Sequence, residues 1–485
     1  MLLRYLQPSS EHQLKRQRSE LLTVLVLLIS IVVWMVVGVS YAVPLIKLEK
    51  KTKVLEVKPS PSLSTEEKCS STCRIEITED FPENLPFDYS QLKFNNSYTI
   101  FTDLFENARE EILIMASSSN LRAKEYDHEY RERYAKRGNE IYELLKKRGL
   151  IDDIRIRLID VGGEVDSVKY RDAEELHRLG ALERRTHDTM PMVIQHSKSI
   201  IVDDVHSLIT SANLDYLSLQ QKGELGVLVK NCPCFAADLK QIYNNMWNSA
   251  GGSLVVFQSQ SPYNHQNRLR IGKTQIHTAI SPDIMRESGR DSELNEILRL
   301  INEAEKEVHI SVMDFVPFFH FMNSNQTMSE MSEAVINAAS RGVNVRIMTM
   351  SRHSNFRAET LQYFQKLSRH SSNIEIKLHS FPYENVYMDR KSHGKSVLTE
   401  KEFLISTSNF TPDYFYADTG LSVVIKEDSV QKPLMRMIKE INRRYWNGPY
   451  SYDLEYYVKM CSPISLDKDI CDAINSLHAD RIRRV

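Results

Sequence analysis

One short pattern occurs twice, once in each half of the 485-residue chain: His196-Ser197-Lys198 followed by Asp203, and His393-Gly394-Lys395 followed by Glu400. Of the 15 histidines, only these two have a lysine two positions on. Each is trailed by a hydroxyl residue and an asparagine, in Ser211-Ala212-Asn213 and Thr407-Ser408-Asn409. Composition predicts roughly 0.25 chance matches to H-x-K-x4-[DE] in a chain this long, so one copy is weak and a matched pair is specific. Two imidazoles, two ammonium groups and two amides around one point suit displacement at a phosphodiester. That reaction asks mainly for positioning and for neutralised charge on the non-bridging oxygens, which these groups supply without a metal or other cofactor. A neutral imidazole can attack phosphorus to give a phosphohistidine. A protonated one can give its proton to the leaving oxygen and then take one from water or an alcohol. Both roles lie in the pH range where histidine titrates.

Strands must position these groups. Lys198 to Asp203 and Lys395 to Glu400 are short apolar runs with polar ends, the pattern of a buried strand. Side chains alternate along a strand, so His196 shares a face with Lys198, and His393 with Lys395. Asp203 and Glu400 complete the motif but have the opposite parity, which makes them strand-end anchors. Ser211 and Asn213, like Thr407 and Asn409, share a face after a second apolar run. Around these motifs the order strand, helix, strand is written twice. Residues 110–115, 140–145 and 153–159 give it first, and 307–313, 331–339 and 343–348 repeat it. The reading is an α/β protein of two halves, 80–255 and 256–485, related by a pseudo-twofold, with mixed or parallel sheets covered by helices.

The paired motifs resemble the HKD motifs of the phospholipase D superfamily. Glu224-Leu225-Gly226-Val227, Asn231-Cys232-Pro233-Cys234 and the run from Trp446 to Leu454 resemble, more narrowly, the animal phospholipase D3 and D4 group. The resemblance spans about Cys69 to Leu454. It implies the phospholipase D fold, a type II membrane glycoprotein of the endolysosome, and 5′-to-3′ exonuclease activity on single-stranded DNA and RNA. Phospholipid transphosphatidylation, giving bis(monoacylglycero)phosphate, is the alternative it carries. It further implies His196 as nucleophile and His393 as acid and base. A carboxylate that orients a catalytic histidine is expected about 28 residues after the motif histidine. Glu224 stands there in the first half, whereas Thr419-Gly420 stands in the second. Two departures appear: Thr210 and Ser406 replace the glycine that usually opens the asparagine element, and Ser117-Ser118-Ser119-Asn120 stands where relatives tend to carry aromatic residues. A catalytically silent luminal protein is a third reading, opposed by the intact His, Lys and Asn sets.

Residues 21–46 are 26 residues without a charge, long enough to cross a bilayer core. A cleavable signal peptide has an apolar region of about 7–15 residues nearer the start, so an uncleaved signal anchor is expected, with 1–20 as a cytosolic tail and 47–79 as a stalk. Flanking charges do not set the orientation, since basic residues lie on both sides. Cysteines do: all six follow the span, an even set that suggests disulfides and a domain in a lumen or outside the cell, which the resemblance narrows to the endoplasmic reticulum, Golgi and endosome-lysosome. The expected scheme joins Cys69 and Cys73 to Cys232 and Cys234, and Cys461 to Cys471. Sequons at Asn95 and Asn325 suit glycosylation there, while the sequon at Asn409 belongs to the site.

A net charge of −2 gives no global attraction to nucleic acid, so any such binding needs a local groove. Arg390 and Lys391 are candidate phosphate guides. The charged stretch 122–147 reads first as a solvated helix face. Ser211 and Thr407 are candidate substrate contacts, and Tyr216 and Phe410 either stack a base or pack the core. Single-stranded nucleic acid or phospholipid, the membrane and a second copy of the chain are the expected partners.

Overall fold

The computed structural model describes residues 69, 71–162, 168–187, 194–250, 259–322, 324, 326–351, 358–382 and 390–461. The first half builds a sheet from Arg74–Glu79 (β1), Glu111–Met115 (β2), Arg155–Asp160 (β3), Glu183–Thr186 (β4), Ser199–Val202 (β5), His206–Thr210 (β6) and Leu225–Lys230 (β7). Their order is β1-β7-β6-β5-β2-β3-β4, with β2, β3 and β4 parallel and the other pairs antiparallel. The second half uses Leu269–Ile271 (β8), Thr274–Ser281 (β9), Glu307–Val312 (β10), Asn344–Met350 (β11), Ile374–His379 (β12), Ser396–Thr399 (β13), Glu402–Ser406 (β14), Asp418–Glu427 (β15) and Ser451–Asp453 (β16). It runs β8-β9-β15-β14-β13-β10-β11-β12-β16, so the block β15-β14-β13-β10-β11-β12 repeats β7-β6-β5-β2-β3-β4. Directions repeat too: β10, β11 and β12 are parallel, and β13, β14 and β15 antiparallel. This is an α/β fold with mixed sheets.

Both faces of each central strand are covered, which is why these strands read as continuous apolar runs. Alternation sends Ile112, Ile114, Ile200 and Val202 to a core with helices Ser97–Asn107, Lys136–Leu150 and Arg171–Arg178. Leu113, Ile201, Ile209 and Val227 face the other way. There they join Leu398, Phe403, Ile405 and Val423 of the second sheet and helices Pro233–Ser249 and Pro433–Trp446 in one shared core. Each such Leu, Ile or Phe contributes about 1.5–3 kcal/mol by leaving water. The outer face of the second sheet packs on Glu293–Glu303, Glu330–Ser340 and Ala358–Ser368.

Cys69 pairs with Cys234 and Cys73 with Cys232, tying the chain before β1 to the start of helix Pro233–Ser249. Arg74–Glu79 pairs along β7. The stalk expected to reach residue 79 therefore gives way to the folded unit earlier, because this alternating stretch has a strand edge to cover. The span 21–46, Asn325, Cys471 and the side chain of Cys461 lie outside the described residues. Among the described residues no helix is long and apolar enough to cross a membrane. Asn95 is exposed beside the Asn96 cap of helix Ser97–Asn107.

Candidate active site

Each half lends a strand to the other half's motif. Ile194–Gln195, leading into His196, pairs parallel with Asp418–Thr419, and Lys391–Ser392, leading into His393, pairs parallel with Lys222–Gly223. The amides of His393 and Gly394 donate to the Gly223 carbonyl at 2.7 and 2.9 Å. Those of His196 and Ser197 donate to Thr419 Oγ1 at 3.0 and 3.3 Å. A Cβ on Gly394 would press to 3.1 Å from Leu225 Cβ, so glycine permits the close crossing.

The exchange changes which histidine Glu224 serves. His393 Nδ1 lies 2.8 and 3.0 Å from the two Glu224 oxygens. The carboxylate that follows the first motif thus orients the histidine of the second. The sequence reading, which counted residues within one half, gave this support to the wrong histidine. Among the described residues His196 Nδ1 is buried without a close hydrogen bond, and the Thr407 backbone, not a carboxylate, favours its charged form.

Lys198 and Lys395 are buried, and each ammonium donates to the carbonyl of its own motif histidine, from Lys198 at 2.6 Å. Asn213 Oδ1 accepts from Ser117 N at 3.2 Å, while Asn409 Nδ2 donates to Tyr414 OH at 3.1 Å. Asn409 is fully buried, which closes its sequon to a glycosyl donor. Asp203 accepts from the amides of Arg109, Glu110 and Glu111 at 2.7–2.9 Å. Glu400 accepts from Glu305, Lys306 and Glu307 at 3.0–3.3 Å. Both acids sit at strand ends, away from the imidazoles.

Four candidate substrate contacts are turned elsewhere. Ser211 donates to Glu224 Oε2 at 2.5 Å and accepts from Leu225 N at 3.0 Å. Thr407 Oγ1 accepts from Leu421 N at 2.9 Å. Both hydroxyls are spent holding the floor of the site. Tyr216 packs with Tyr130 and Tyr134, and Phe410 lies in the second-half core, so neither presents a face to a base. Arg390 is likewise no phosphate guide: it is buried, with its guanidinium on Gln221 Oε1 and the carbonyls of Glu83 and Pro382. In the charged stretch, Arg122 and Lys124 pair with Asp172 and Glu175, and Arg137 with Glu83.

Other residues complete the site without a motif to announce them. Matching Ser211 with Thr407 aligns Lys222 with Asp418 and Glu224 with Gly420. Lys222, buried, pairs with Asp215 at 3.2 Å. Tyr414 sets its edge on His196, ring centroids 4.6 Å apart at 77°. Glu293, from a different helix, fills the space a side chain at 420 would need and accepts from Ser281, Ser406 and Ser408 at 2.6–2.7 Å. Internal alignment of the halves could have flagged Lys222 and Asp418, but nothing local marks Tyr414 or Glu293.

Burial and then the lysines dominate the electrostatics. Desolvation, reinforced by Lys198, Lys395 and His393, holds His196 well below its ordinary pKa. Desolvation followed by Lys395, Lys222 and Lys198 does the same for His393, and burial pushes Glu224 up against the pull of Lys222 and Lys395. Desolvation drives Lys198 well down and lowers Lys395 to about 7, while burial raises Asp418 to about 8. An anion entering here meets groups that gain protons as it binds.

Two histidine–lysine half-sites facing one another on a duplicated mixed-sheet fold make this chain a hydrolase of the phospholipase D superfamily, a phosphodiesterase. Residues 89–385 match the family model described as PLD3/4, PLD-like domain, and the chain belongs to that family. The 5'-3' exonuclease PLD3 of Xenopus laevis is 28% identical over 417 residues, 80% of this chain and 83% of that one. A probable phospholipase D of Caenorhabditis elegans is 27% identical over 413 residues, 80% of this chain and 72% of its own. A phosphatidylserine synthase of Haemophilus influenzae shares the fold, with a TM-score of 0.54 at 14% identity over 80% of this chain and 91% of that one.

Proposed function

We propose that this protein is a 5′-to-3′ exonuclease on single-stranded DNA and RNA, held by a single N-terminal helix with its catalytic domain in the lumen of the secretory and endolysosomal system. Neutral His196 attacks phosphorus, the bond to the leaving oxygen breaks, and that oxygen takes a proton from His393. Water then gives a proton to His393 and attacks the phosphohistidine, releasing the phosphate product and His196. Glu224 supports the imidazolium of His393 once substrate charge offsets the lysines. The uncharged stretch 21–46, the cystine pairs and the exposed Asn95 sequon support the location.

The observation that carries the substrate is a line of aromatic rings from solvent to the nucleophile. Phe321, 55% exposed, sets its edge to Tyr414 at 6.3 Å, and Tyr414 touches His196. Asp413 fixes this loop by accepting from the amides of His320, Phe321 and Met322 at 2.7–3.1 Å. Such a face stacks any base, which suits sequence-tolerant single-strand binding. Transphosphatidylation uses the same steps with an alcohol in place of water, and the exposed apolar ring also suits an acyl chain. The test incubates full-length protein at pH 5 and pH 7 with single-stranded DNA and with phosphatidylglycerol, beside H196A and H393A. Stepwise release of nucleotides from the 5′ end, lost in both variants, is expected. Turnover of lipid without DNA would replace this reading with the second.

A further inference from the structure

We infer that the second half carries a site for a zinc-class divalent cation, with His265, Asp291 and Glu296 as its protein ligands and His277 beside their carboxylates. The four come from separate pieces of backbone. His277 lies on β9, and Asp291 on the short strand Asp291–Ser292 that pairs parallel with it. Glu296 is in the first turn of helix Glu293–Glu303, and His265 precedes β8. The loop carrying His265 is fixed to the cluster through its amide, which donates to Asp291 Oδ2 at 2.5 Å.

Donor spacing is the central observation. His265 Nδ1 is 2.8 Å from Asp291 Oδ1 and 3.8 Å from Glu296 Oε1, while His277 Nε2 is 3.0 Å from Glu296 Oε2 and 3.4 Å from Asp291 Oδ2. A zinc ion with bonds of about 2.0–2.2 Å to nitrogen and oxygen needs neighbouring donors roughly 3.3–3.5 Å apart in a tetrahedron. His265 Nδ1 and one oxygen each of Asp291 and Glu296 lie within 4.8 Å of one another, so small side-chain shifts place an ion between them, while His277 Nε2 faces the other oxygen of each carboxylate. Mixed imidazole and carboxylate donors select zinc over magnesium or calcium, which take oxygen ligands. Three protein donors leave the fourth position of a tetrahedron to water. His277 and Glu296 are buried, and His265, 37% exposed, is the side from which an ion arrives.

The surroundings hold the donors and leave charge for an ion. Arg299 contacts Glu296 at 2.8 and 3.0 Å and also Glu402, the kind of outer hydrogen bonding that orients ligating carboxylates. Arg268 pairs with Glu402 as well. With neutral imidazoles, Asp291, Glu296 and Glu402 outnumber Arg299 and Arg268 by one charge. An ion here would pin the start of the helix whose Glu293 fills the floor beneath Gly420, linking the site to catalytic geometry through one turn of helix.

The test uses full-length protein stripped with a chelator at pH 7, then titrated with zinc and, separately, cobalt(II). One ion per chain, tetrahedral cobalt absorption and a melting midpoint about 5 °C higher at a hundredfold excess over the dissociation constant are expected. H265A, altering the most exposed donor, should fold and lose the affinity at least tenfold, and E296Q should abolish the cobalt spectrum. Failure of the stripped protein to bind zinc stoichiometrically overturns the site. So does undiminished binding by folded H265A, which would place the ion elsewhere, for instance on the catalytic histidines.

Discussion

His196 and His393 have the same neighbours in sequence and different ones in space. A carboxylate beside an imidazole favours its protonated form, so in the proposed mechanism Glu224 suits His393 to the acid role and His196 is the neutral nucleophile. H393A should lose about 10²–10⁴-fold in kcat on a nucleotide substrate and regain most of it on a p-nitrophenyl phosphodiester, whose leaving group needs no proton. H196A should recover on neither, and H393A quenched in alkaline denaturant during turnover of the p-nitrophenyl diester should carry the phosphoryl ester on His196 by mass spectrometry. E224Q keeps the shape and removes the charge. It should cost about 10–100-fold in kcat, and because loss of the anion lowers the His393 pKa, the alkaline limb of the pH profile should move to lower pH. An unmoved limb would break the assignment. At Phe321, removal of the ring should raise KM for single-stranded DNA by about 5–150-fold, the worth of one stacked base. Leucine should restore binding of a lipid there and not of DNA, which separates the two substrates.

The strands explain which parts of this arrangement could be read from sequence. Period-two alternation put His and Lys on one face and turned Asp203 and Glu400 away, and each acid caps a strand end through three backbone amides. D203A should therefore destabilise the fold by about 2–3 kcal/mol in urea titrations, with kcat/KM of the folded fraction within threefold of wild type. A large catalytic loss with unchanged stability would return Asp203 to the chemistry. The exchange of lead-in strands was not legible, because Lys391–Ser392 and Lys222–Gly223 are two residues each and too short to show a period. Tyr216 and Phe410 were ambiguous for a related reason: an aromatic residue beside an active-site asparagine reads the same whether it faces a cleft or a core. Cysteine spacing suggested one pair, Cys69 and Cys73, facing another, Cys232 and Cys234, and only the approach of β1 to helix Pro233–Ser249 selects Cys69 with Cys234 and Cys73 with Cys232. Closing loops of 165 and 159 residues restrains the unfolded chain, so loss of the second bridge in C73S/C232S should cost about 2–5 kcal/mol and lower the melting midpoint.

The whole molecule carries a net charge of −2, yet its catalytic centre gathers Lys198, Lys222 and Lys395 out of water. Attraction for an anion is thus local, and it is coupled to protons. Lys395 has a pKa of about 7 in the folded protein and the ordinary 10.5 when unfolded, so between those values the unfolded chain holds the extra proton. Stability on this account falls as pH drops from 10.5 toward 7 and levels off below it, the sign opposite to that of a lysine gaining a carboxylate partner. A bound anion reverses the shift by favouring the ammonium, so binding must draw in a proton wherever the empty site lacks one. Sulfate suits the measurement because it does not titrate in this range. Calorimetry at pH 8 in buffers of different ionisation enthalpy should show uptake approaching one proton per sulfate, and the rise in melting midpoint with sulfate should be larger at pH 7 than at pH 9. Lys395→Met should remove most of that uptake. Proton-neutral binding at pH 8 would mean that Lys395 is already charged in the empty site, and that the substrate anion meets a field fully formed before it arrives.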